Sequence, residues 1–380
     1  MCFSQTMDQG FFVEMLGYDS TSGRERNLAD FLAERMAGPG RIIEKQEVHA
    51  MAADCPEGCE VPVNLYVKWG EPEVVFCTHL DTVPPYIPPT HSEASDGGRI
   101  CGRGTCDAKG QIFSMWEACL ELERKGCTGF GLLLLAGEET GSFGAKAFTM
   151  KSDRSDAVVV VGEPTDNHMA SASKGTKSFE VTFKGEAFHS GYPQYGCSAV
   201  EMFGDFLNAL RSIVFPKDEV LGDTTWNIGK LVSDNPQNIL SDRLTCRVYF
   251  RTTFESDEMV CNIMKNMAGP DAKLRFGRPK VQDGSDIVAK EVAQWQKSMS
   301  VKAFGGDTPT RYEVLEGFPV KPVAFGSDAP QLKCFYRKIL CGPGSILVAH
   351  RDEEHINMKD IETAISNYVR MYEELTKMSS

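Results

Sequence analysis

The sequence has neither a long apolar run nor an excess of basic residues. The longest apolar stretch, residues 131–137, is far shorter than the roughly 20 residues that a transmembrane helix needs. Lysine and arginine together number 40, against 53 aspartates and glutamates, which gives a net charge of −13. No basic surface is therefore left over for a phosphate backbone. These absences predict a protein that binds neither a membrane nor a nucleic acid.

The 13 cysteines show no arrangement that indicates a disulfide framework. Their number is odd and they are scattered along the chain, and residues 1–8 lack the basic and apolar segments of a secretion signal. Disulfides are normally found in exported proteins. We therefore expect free, buried thiols and a cytoplasmic protein.

Three short apolar runs that suit buried strands are each followed by side chains that can bind a metal. Residues 74–78 lead to His79 and Asp81, residues 130–136 to Glu138 and Glu139, and residues 158–161 to Glu163. In open α/β sheets, ligands bind outside the carboxyl ends of the strands, so these side chains are predicted to meet at one edge. His79 and Asp81 point the same way on an extended segment, which would let Asp81 orient a metal-binding His79. For this pair alone, a polar turn is the alternative.

A glycine-rich loop and a proline-rich segment lie between the first two of these runs. The loop, residues 100–110, contains Asp107 shortly before a predicted helix at residues 111–125. Glycine lets the backbone approach a ligand closely, and the spacing fits neither a P-loop nor a dinucleotide fingerprint. The prolines between residues 84 and 89 predict a rigid loop over the strand ends.

The region before the first strands has helical periodicity. Apolar residues recur at helical spacing in two runs between residues 9 and 36. Between the runs, Ser22 and Glu25 have the spacing of a capping box. We therefore expect two helices, with Ser22 and Glu25 capping the second.

The pattern changes near residue 174, where alternating apolar and polar residues replace the buried runs. The predicted elements are a strand (178–185), a helix (197–214), two strands (225–232 and 244–252), a helix (257–267) and a strand (273–276). This βαββαβ order is that of a ferredoxin-like unit. We therefore predict an α/β catalytic domain from residues 1–174 and 284–380, with an inserted domain at 175–283. The α/β pattern resumes with a predicted helix at 287–299.

Six motifs resemble those of the zinc-dependent aminoacylase, acetylornithine deacetylase and succinyl-diaminopimelate desuccinylase family. They are THLDTVP at 78–84, GRGTCDAKG at 102–110, GEE at 137–139, GEPT at 162–165, FHSG at 188–191 and GPGSILVAH at 342–350. Each motif is short, but their collinear order over most of the chain is specific. The resemblance implies a zinc-peptidase-like α/β domain with a central mixed sheet between helices. It also implies that the inserted domain is a lid through which two chains form a homodimer.

The resemblance implies a pair of divalent metal ions, zinc first and cobalt as the alternative. Asp107 would bridge the two ions. His79 and Glu163 would complete one site, and Glu139 and His350 the other. Imidazole and carboxylate groups are ligands that suit zinc. Next to a ligand, Glu138 would act as the general base, and Asp81 would orient His79.

Three residues of the inserted domain resemble groups that contact the substrate. His189 resembles a histidine that reaches across the dimer to stabilise the oxyanion. Asn238 and Arg251 resemble residues that hold the substrate carboxylate, for which the guanidinium fork of arginine is suited.

The sequence departs from the family pattern at two places. Ala108 follows the bridging Asp107 where methionine is more usual, and His355 follows Glu354 where an aromatic residue is usual. His355 is therefore a rival to His350 as a ligand. His350 is preferred because it directly follows the GPGS strand and ends the motif at 342–350.

Taken together, the motifs predict a metal-dependent amidohydrolase that removes an acyl group from an amino acid such as N-acetylornithine or N-acetylcitrulline, a step of the kind used in arginine biosynthesis. The alternative on the same scaffold is a dipeptidase or aminopeptidase that cleaves short peptides. A catalytically silent relative is a third hypothesis, which a missing ligand or base would have favoured. None of these residues is missing.

Overall fold

The computed structural model describes residues 7–49, 60–92, 98–149, 156–267 and 299–377. Within them the backbone divides into two units. Unit 1 extends to Ser171 and resumes at Arg311–Val323 and from Ser327, whereas unit 2 comprises Ala172–Thr310 and Ala324–Gly326. Unit 2 is therefore an insertion in the chain of unit 1.

The helices and strands follow one another in a mixed order. The helices are α1 (Gln9–Leu16), α2 (Arg26–Arg35), α3 (Lys109–Arg124), α4 (Phe143–Ala147), α5 (Ala199–Arg211), α6 (Asp257–Met267) and α7 (Met358–Lys377), with a 3₁₀ turn at Pro193–Tyr195. The strands are β1 (Ile42–Glu47), β2 (Val63–Trp69), β3 (Val74–His79), β4 (Thr90–Ser92), β5 (Arg99–Cys101), β6 (Phe130–Leu135), β7 (Val158–Val161), β8 (Met169–Ser173), β9 (Gly175–Lys184), β10 (Thr225–Val232), β11 (Arg243–Thr252), β12 (Met299–Gly305), β13 (Thr310–Arg311), β14 (Val320–Val323), β15 (Arg337–Leu340) and β16 (His355–Asn357).

Unit 1 is built on a six-stranded mixed sheet with the order β1-β2-β6-β3-β7-β15. Strands β6, β3, β7 and β15 run parallel, whereas β1 and β2 form the antiparallel edge. Every residue of β3, β6 and β7 is buried, as continuous apolar strands covered on both faces should be. The predicted α/β class with a central mixed sheet is confirmed.

Helices cover this sheet through aromatic contacts. Phe12 of α1 stacks on Phe113 of α3 with ring centroids 4.8 Å apart. Phe76 of β3 meets Tyr368 of α7 edge-on at 5.5 Å. The hydroxyl of Tyr368 donates to the carbonyl of Cys341 at 3.0 Å, so this buried ring keeps a partner for its polar end. The apolar stripe of α7 therefore joins the last helix to the centre of the sheet.

The parallel strands end together at one edge of the sheet. In the register of β3 and β6, His79 lies opposite Leu135, so the turn with Glu138 and Glu139 begins beside the end of β3. In the register of β3 and β7, Cys77 lies opposite Val161, so Glu163 follows close by. The sequence predicted this convergence.

Unit 2 contains an antiparallel sheet with the order β10-β11-β9-β12. Along the chain its described elements follow the order β9-α5-β10-β11-α6-β12, a βαββαβ order like the predicted one, but with β12 as the last strand in place of the predicted strand at 273–276. Apolar side chains of the two helices and the sheet form a separate core, in which Phe183 of β9 contacts Phe206 of α5 edge-on at 5.5 Å.

The inserted unit is longer than predicted. It continues to Thr310 rather than ending at residue 283, because β12 pairs with β9 from Met299, opposite Phe183, to Gly305 and completes the sheet. The predicted strand at 273–276 and nearly all of the predicted helix at 287–299 lie outside the described residues.

Two further sequence predictions concern cysteines and membranes. The ten cysteines among the described residues are free, and six of them are buried, which agrees with the expectation of reduced thiols. No helix in the described ranges has both the length and the apolar character required to cross a bilayer.

Candidate metal centre

Five segments of unit 1 bring the predicted metal-binding side chains to the same sheet edge. His79 ends β3, Glu139 lies in the turn after β6, Glu163 follows β7, Asp107 stands two residues before α3, and His350 lies beyond β15. Asp107 is thus close to a helix N-terminus, where the helix dipole stabilises a negative charge.

Asp107 lies between the two histidines. Its Oδ1 is 3.0 Å from Nε2 of His79, and its Oδ2 is 3.2 Å from Nε2 of His350. The same nitrogen of His350 is 2.9 Å from Oε1 of Glu139. Ligand atoms of His79, Asp107 and Glu139 all lie within 4.8 Å of one another. An aspartate that offers a different oxygen to each histidine has the arrangement required to bridge two cations.

A close approach of two loops holds Asp107 in this place. Gly104 has a φ of +83°, and a Cβ added there would lie 2.9 Å from Cγ2 of Thr82. Only glycine lets the loop before α3 lie this close to the segment that follows Asp81.

The site concentrates negative charge in a buried volume. Burial raises the pKa of Glu138 and Glu163 well above the usual value, and neighbouring carboxylates raise both further. Burial likewise raises the pKa of Glu139, with the charge of Asp107 next in effect. Hydrogen bonds to Asp107 and Glu139 raise the pKa of His350 to about 10. The site thus contains more carboxylates than imidazole groups. This excess of hard oxygen donors fits divalent cations.

Asp81 contacts His79 with its main-chain carbonyl and contacts the turn of Glu138 and Glu139 with its carboxylate. The Nδ1 of His79 lies 2.8 Å from the carbonyl oxygen of Asp81 and 3.5 Å from its Oδ1. The Asp81 carboxylate accepts the main-chain N–H groups of Glu138 at 2.9 Å and of Glu139 at 3.1 Å. The carbonyl of Asp81 is therefore the nearer partner of the His79 ring, and the carboxylate, which is predicted to orient His79, lies farther from it. The carboxylate also fixes the turn that carries Glu138 and Glu139.

The predicted capping box is wrong, and its residues serve this turn. The hydroxyl of Ser22 donates to Oδ2 of Asp81 at 2.8 Å, and the carboxylate of Glu25 accepts the N–H of Gly23 at 2.7 Å. Helix α2 begins after Glu25 without a side-chain cap. The buried carboxylate of Asp81 is the stronger acceptor for the Ser22 hydroxyl.

Replacing Asp81 by asparagine should weaken metal binding by about 10–100-fold, the range typical of partners behind a ligand. The new amide group would face the N–H of Glu138 or Glu139 as a second donor and displace their turn. Zinc competition with a chromophoric chelator measures the effect. Asp166→Asn is a matched surface control, because Asp166 is 44% exposed and Lys321 is its ion-pair partner among the residues that the structure describes. If Asp81→Asn bound zinc as tightly as Asp166→Asn, the role of Asp81 in supporting the site would be contradicted.

The structure separates the two candidate histidine ligands. His350 contacts Asp107 and Glu139, whereas His355 lies on β16 opposite Cys101 and its Nδ1 contacts the carbonyl of Glu353 at 2.8 Å. The backbone of His350 is left-handed, with a φ of 63°. Residues other than glycine are uncommon in this region and cluster at functional sites.

The three predicted substrate-contacting residues all belong to unit 2. His189 is exposed, and its Nδ1 accepts the N–H of Gly191 at 3.0 Å. Asn238 is exposed nearby and accepts the N–H of Ser190 at its carbonyl. Arg251 on β11 lies over the ring of Tyr249, 4.9 Å from its centroid. Their predicted roles remain predictions.

The sequence analysis missed two buried acidic residues at the site. Asp328 is 1% exposed, and its charge helps to raise the pKa of Glu138 and Glu163. Glu354 is 0% exposed and contacts the backbone of Asp107. In the sequence, Asp328 lies in the loop at residues 326–330, and Glu354 lies shortly after His350. Neither position indicated which residues the carboxylate would contact.

Known proteins resemble this chain over nearly its whole length. The sequence profile of peptidase family M20/M25/M40 matches residues 75–374. A "probable carboxypeptidase" of Aspergillus terreus is 30% identical over 96% of this chain and 85% of its own length. A tripeptidase structure from Staphylococcus aureus superposes with a TM-score of 0.74 at 17% identity, covering 97% of this chain and 98% of the other. An M20 family metallo-carboxypeptidase, Sso-CP2 from Sulfolobus solfataricus, gives a TM-score of 0.65 at 15% identity, with coverages of 96% and 98%. At these identities, the two structures bear on the fold alone.

Proposed function

The chain belongs to peptidase family M20/M25/M40, and from this premise we propose that it is a metal-dependent hydrolase that releases the C-terminal amino acid from short peptides. The observation that carries the proposal is Asp107, which offers one oxygen towards His79 and the other towards His350. The name of the fungal relative, a "probable carboxypeptidase", supports cleavage at the C-terminal end of the peptide.

The residues present fit a pair of divalent ions. Asp107 would lie between them, with His79 and Glu163 on one side and Glu139 and His350 on the other. We propose zinc as the metal, with cobalt as an alternative, because imidazole and carboxylate ligands accept both. When bound, the ions would supply positive charge that acidifies a water molecule and polarises the scissile carbonyl.

Glu138 is the candidate general base. Its N–H donates to Asp81 at 2.9 Å, which fixes its position beside the ligand Glu139. Burial raises its pKa well above the usual range of a glutamate. A carboxylate with a raised pKa can take a proton from water and later give it to the leaving amine near neutral pH.

The carboxylate of the leaving amino acid needs a cationic partner. In our proposal Arg251 supplies the guanidinium, with Asn238 beside the substrate, while His189 stabilises the oxyanion from the other chain of a homodimer formed through unit 2. A guanidinium can bind a carboxylate with two parallel hydrogen bonds.

A second candidate is the deacylation of N-acyl amino acids such as N-acetylornithine or N-acetylcitrulline. The observation that favours it is the GPGSILVAH motif at residues 342–350. Both reactions release an amino acid with a free carboxylate, so they differ only in the acyl side of the amide bond. The alternative of an aminopeptidase differs in kind, because it would require a free amine at the other end of the substrate.

Four substrates distinguish these functions in the zinc- or cobalt-loaded enzyme: trialanine, its C-terminal amide, its N-acetyl derivative and N-acetylornithine. We expect hydrolysis of trialanine and its N-acetyl derivative. Amidation should lower kcat/KM by at least about 100-fold, because the guanidinium of Arg251 would lose its charged partner. Release of alanine and acetate is measured by chromatography.

Other outcomes lead to different assignments. Turnover of N-acetylornithine alone would identify a deacylase. Cleavage of the amidated peptide, together with loss of activity on N-acetylation, would identify an aminopeptidase and contradict carboxyl-end recognition. No turnover of any of the four substrates would contradict the proposal as a whole.

A further inference from the structure

Glu354 is a fully buried carboxylate beside the metal centre, and it is not one of the predicted ligands. Its Oε1 accepts the main-chain N–H groups of Cys106 at 3.0 Å and of Asp107 at 3.1 Å. Its Oε2 accepts Nη1 of Arg103 at 2.6 Å. Its main-chain carbonyl accepts the N–H of Gly102 at 2.9 Å. One residue thus fixes the backbone of Asp107 and of the loop that leads to it.

Arg103 extends this contact to two other segments. Its guanidinium donates from Nε to the carbonyl of Pro85 and from Nη1 to the carbonyl of Arg351, both at 3.2 Å. The main-chain N–H of Arg103 donates to the carbonyl of Ile87 at 3.0 Å. The side chain is 1% exposed, so the N–H groups of its guanidinium are removed from water and need these partners.

The pair therefore joins the three segments that carry three of the ligands. The proline-rich segment follows His79, the loop of Arg103 leads to Asp107, and Arg351 directly follows His350. A buried ion pair is by itself weak grounds for greater stability, because burying the charges opposes their attraction. The advantage of such a pair is geometric, since its hydrogen bonds are strong and directional.

We propose that Arg103 and Glu354 are positioning residues of the metal centre, which set the separation of Asp107 and His350 and thereby the affinity for the metal. The inference rests on the proposed function, because it presumes that these residues bind divalent ions. Neither side chain would touch the metal or the substrate.

The alternative is that the pair only stabilises the fold. A structural pair would lower the melting temperature of the metal-free protein when broken, but the folded protein would keep its affinity for zinc. A positioning pair would lower the zinc affinity of the folded protein and change the ligand geometry. Zinc affinity and the visible spectrum of the cobalt-loaded protein therefore separate the two.

The test is Glu354→Gln in the full chain. Glutamine keeps the volume and one oxygen acceptor, but its amide group must face Arg103 or the two main-chain N–H groups, so that donor meets donor. We expect zinc binding, measured by chelator competition, to weaken by about 10–100-fold. We also expect the visible absorption of the cobalt-loaded variant to shift.

Glu123→Gln is a control near the C-terminal end of α3, whereas Asp107 lies before the N-terminal end of that helix. The carboxylate of Glu123, like that of Glu354, accepts three hydrogen bonds: two from Arg41 at 2.8 and 2.5 Å and one from Nε1 of Trp69 at 2.8 Å. Its replacement should lower the melting temperature and leave the zinc affinity unchanged. Arg103→Lys is a second test, because lysine keeps the charge but not the fork that reaches Pro85 and Arg351.

The outcomes are distinguishable. If Glu354→Gln folds and matches the wild type in zinc affinity and cobalt spectrum, the inference is overturned. If Glu354→Gln does not fold, Arg103→Lys decides: weaker zinc binding supports the inference, and unchanged binding overturns it. If the wild type itself does not bind zinc or cobalt, the proposed function fails instead.

Discussion

Replacing Glu138 by glutamine is expected to lower kcat for peptide hydrolysis by about 10²- to 10⁴-fold, the usual contribution of a general base. Glutamine has nearly the same shape but cannot take a proton from water. Its main-chain N–H can still donate to Asp81, as it does at 2.9 Å in the wild type. The zinc affinity should therefore stay close to that of the wild type.

The neighbouring residue provides the matched comparison. Glu139 lies 2.9 Å from His350, so Glu139→Gln should weaken zinc binding at one of the two sites. Steady-state kinetics at saturating zinc and zinc titration of the metal-free protein give the two readouts. If Glu138→Gln lost zinc while Glu139→Gln kept it, the roles of base and ligand would have to be exchanged.

Replacing His350 by alanine should weaken the binding of one zinc ion by more than the roughly 10–100-fold that is typical of losing a partner behind a ligand. The imidazole of His350 contacts both Asp107 and Glu139. Its loss would remove a predicted ligand from both carboxylates, although Asp107 would keep His79 at 3.0 Å. Zinc stoichiometry, measured after dialysis by elemental analysis, should fall by about one ion per chain when the remaining donors hold the other.

His355→Ala is the control for this variant. His355 lies on β16 and contacts the carbonyl of Glu353, so its removal should leave zinc stoichiometry and kcat unchanged. A variant that lost zinc on replacement of His355, but not of His350, would reverse the assignment. Both histidines lie in the same short segment. A difference in zinc binding between the two variants would therefore be due to where each imidazole lies and not to the loss of a histidine as such.

The sequence was sufficient to predict where the site lies because parallel strands have a simple signature. Runs such as Val158–Val161 are apolar throughout, since both faces of the strand are covered. The residue that follows such a run must then appear at the carboxyl edge of the sheet. The positions of His79, Glu139 and Glu163 at this edge were predictable for this reason.

Contacts between distant loops were not predictable in this way. Ser22 and Glu25 have the spacing of a local cap, but Asp81 competes for the serine hydroxyl in the folded protein. Glu354 contacts Arg103 from a distant part of the chain. Nothing in the local pattern of either residue indicates the other, because tertiary contacts decide the hydrogen bonds of buried polar side chains.

The boundary of unit 2 was missed for a related reason. Met299–Gly305 is exposed over most of its length, so it lacks the apolar pattern of a buried strand. Its place in the sheet comes from main-chain pairing with β9. An edge strand of this kind is specified by its neighbour more than by its own side chains.

The insertion of unit 2 has a consequence for synthesis on the ribosome. Strand β7 pairs with β15 on one side, and Phe76 of β3 packs on α7, but β15 and α7 are translated only after the whole of unit 2. At about 5–20 residues per second, helix α7 emerges on the order of 10–50 seconds after α3. During that interval the nascent chain exposes an all-valine strand edge, a template for pairing with other chains. The half-built sheet of unit 1 is therefore the stage of synthesis at which pairing with other chains is most favoured.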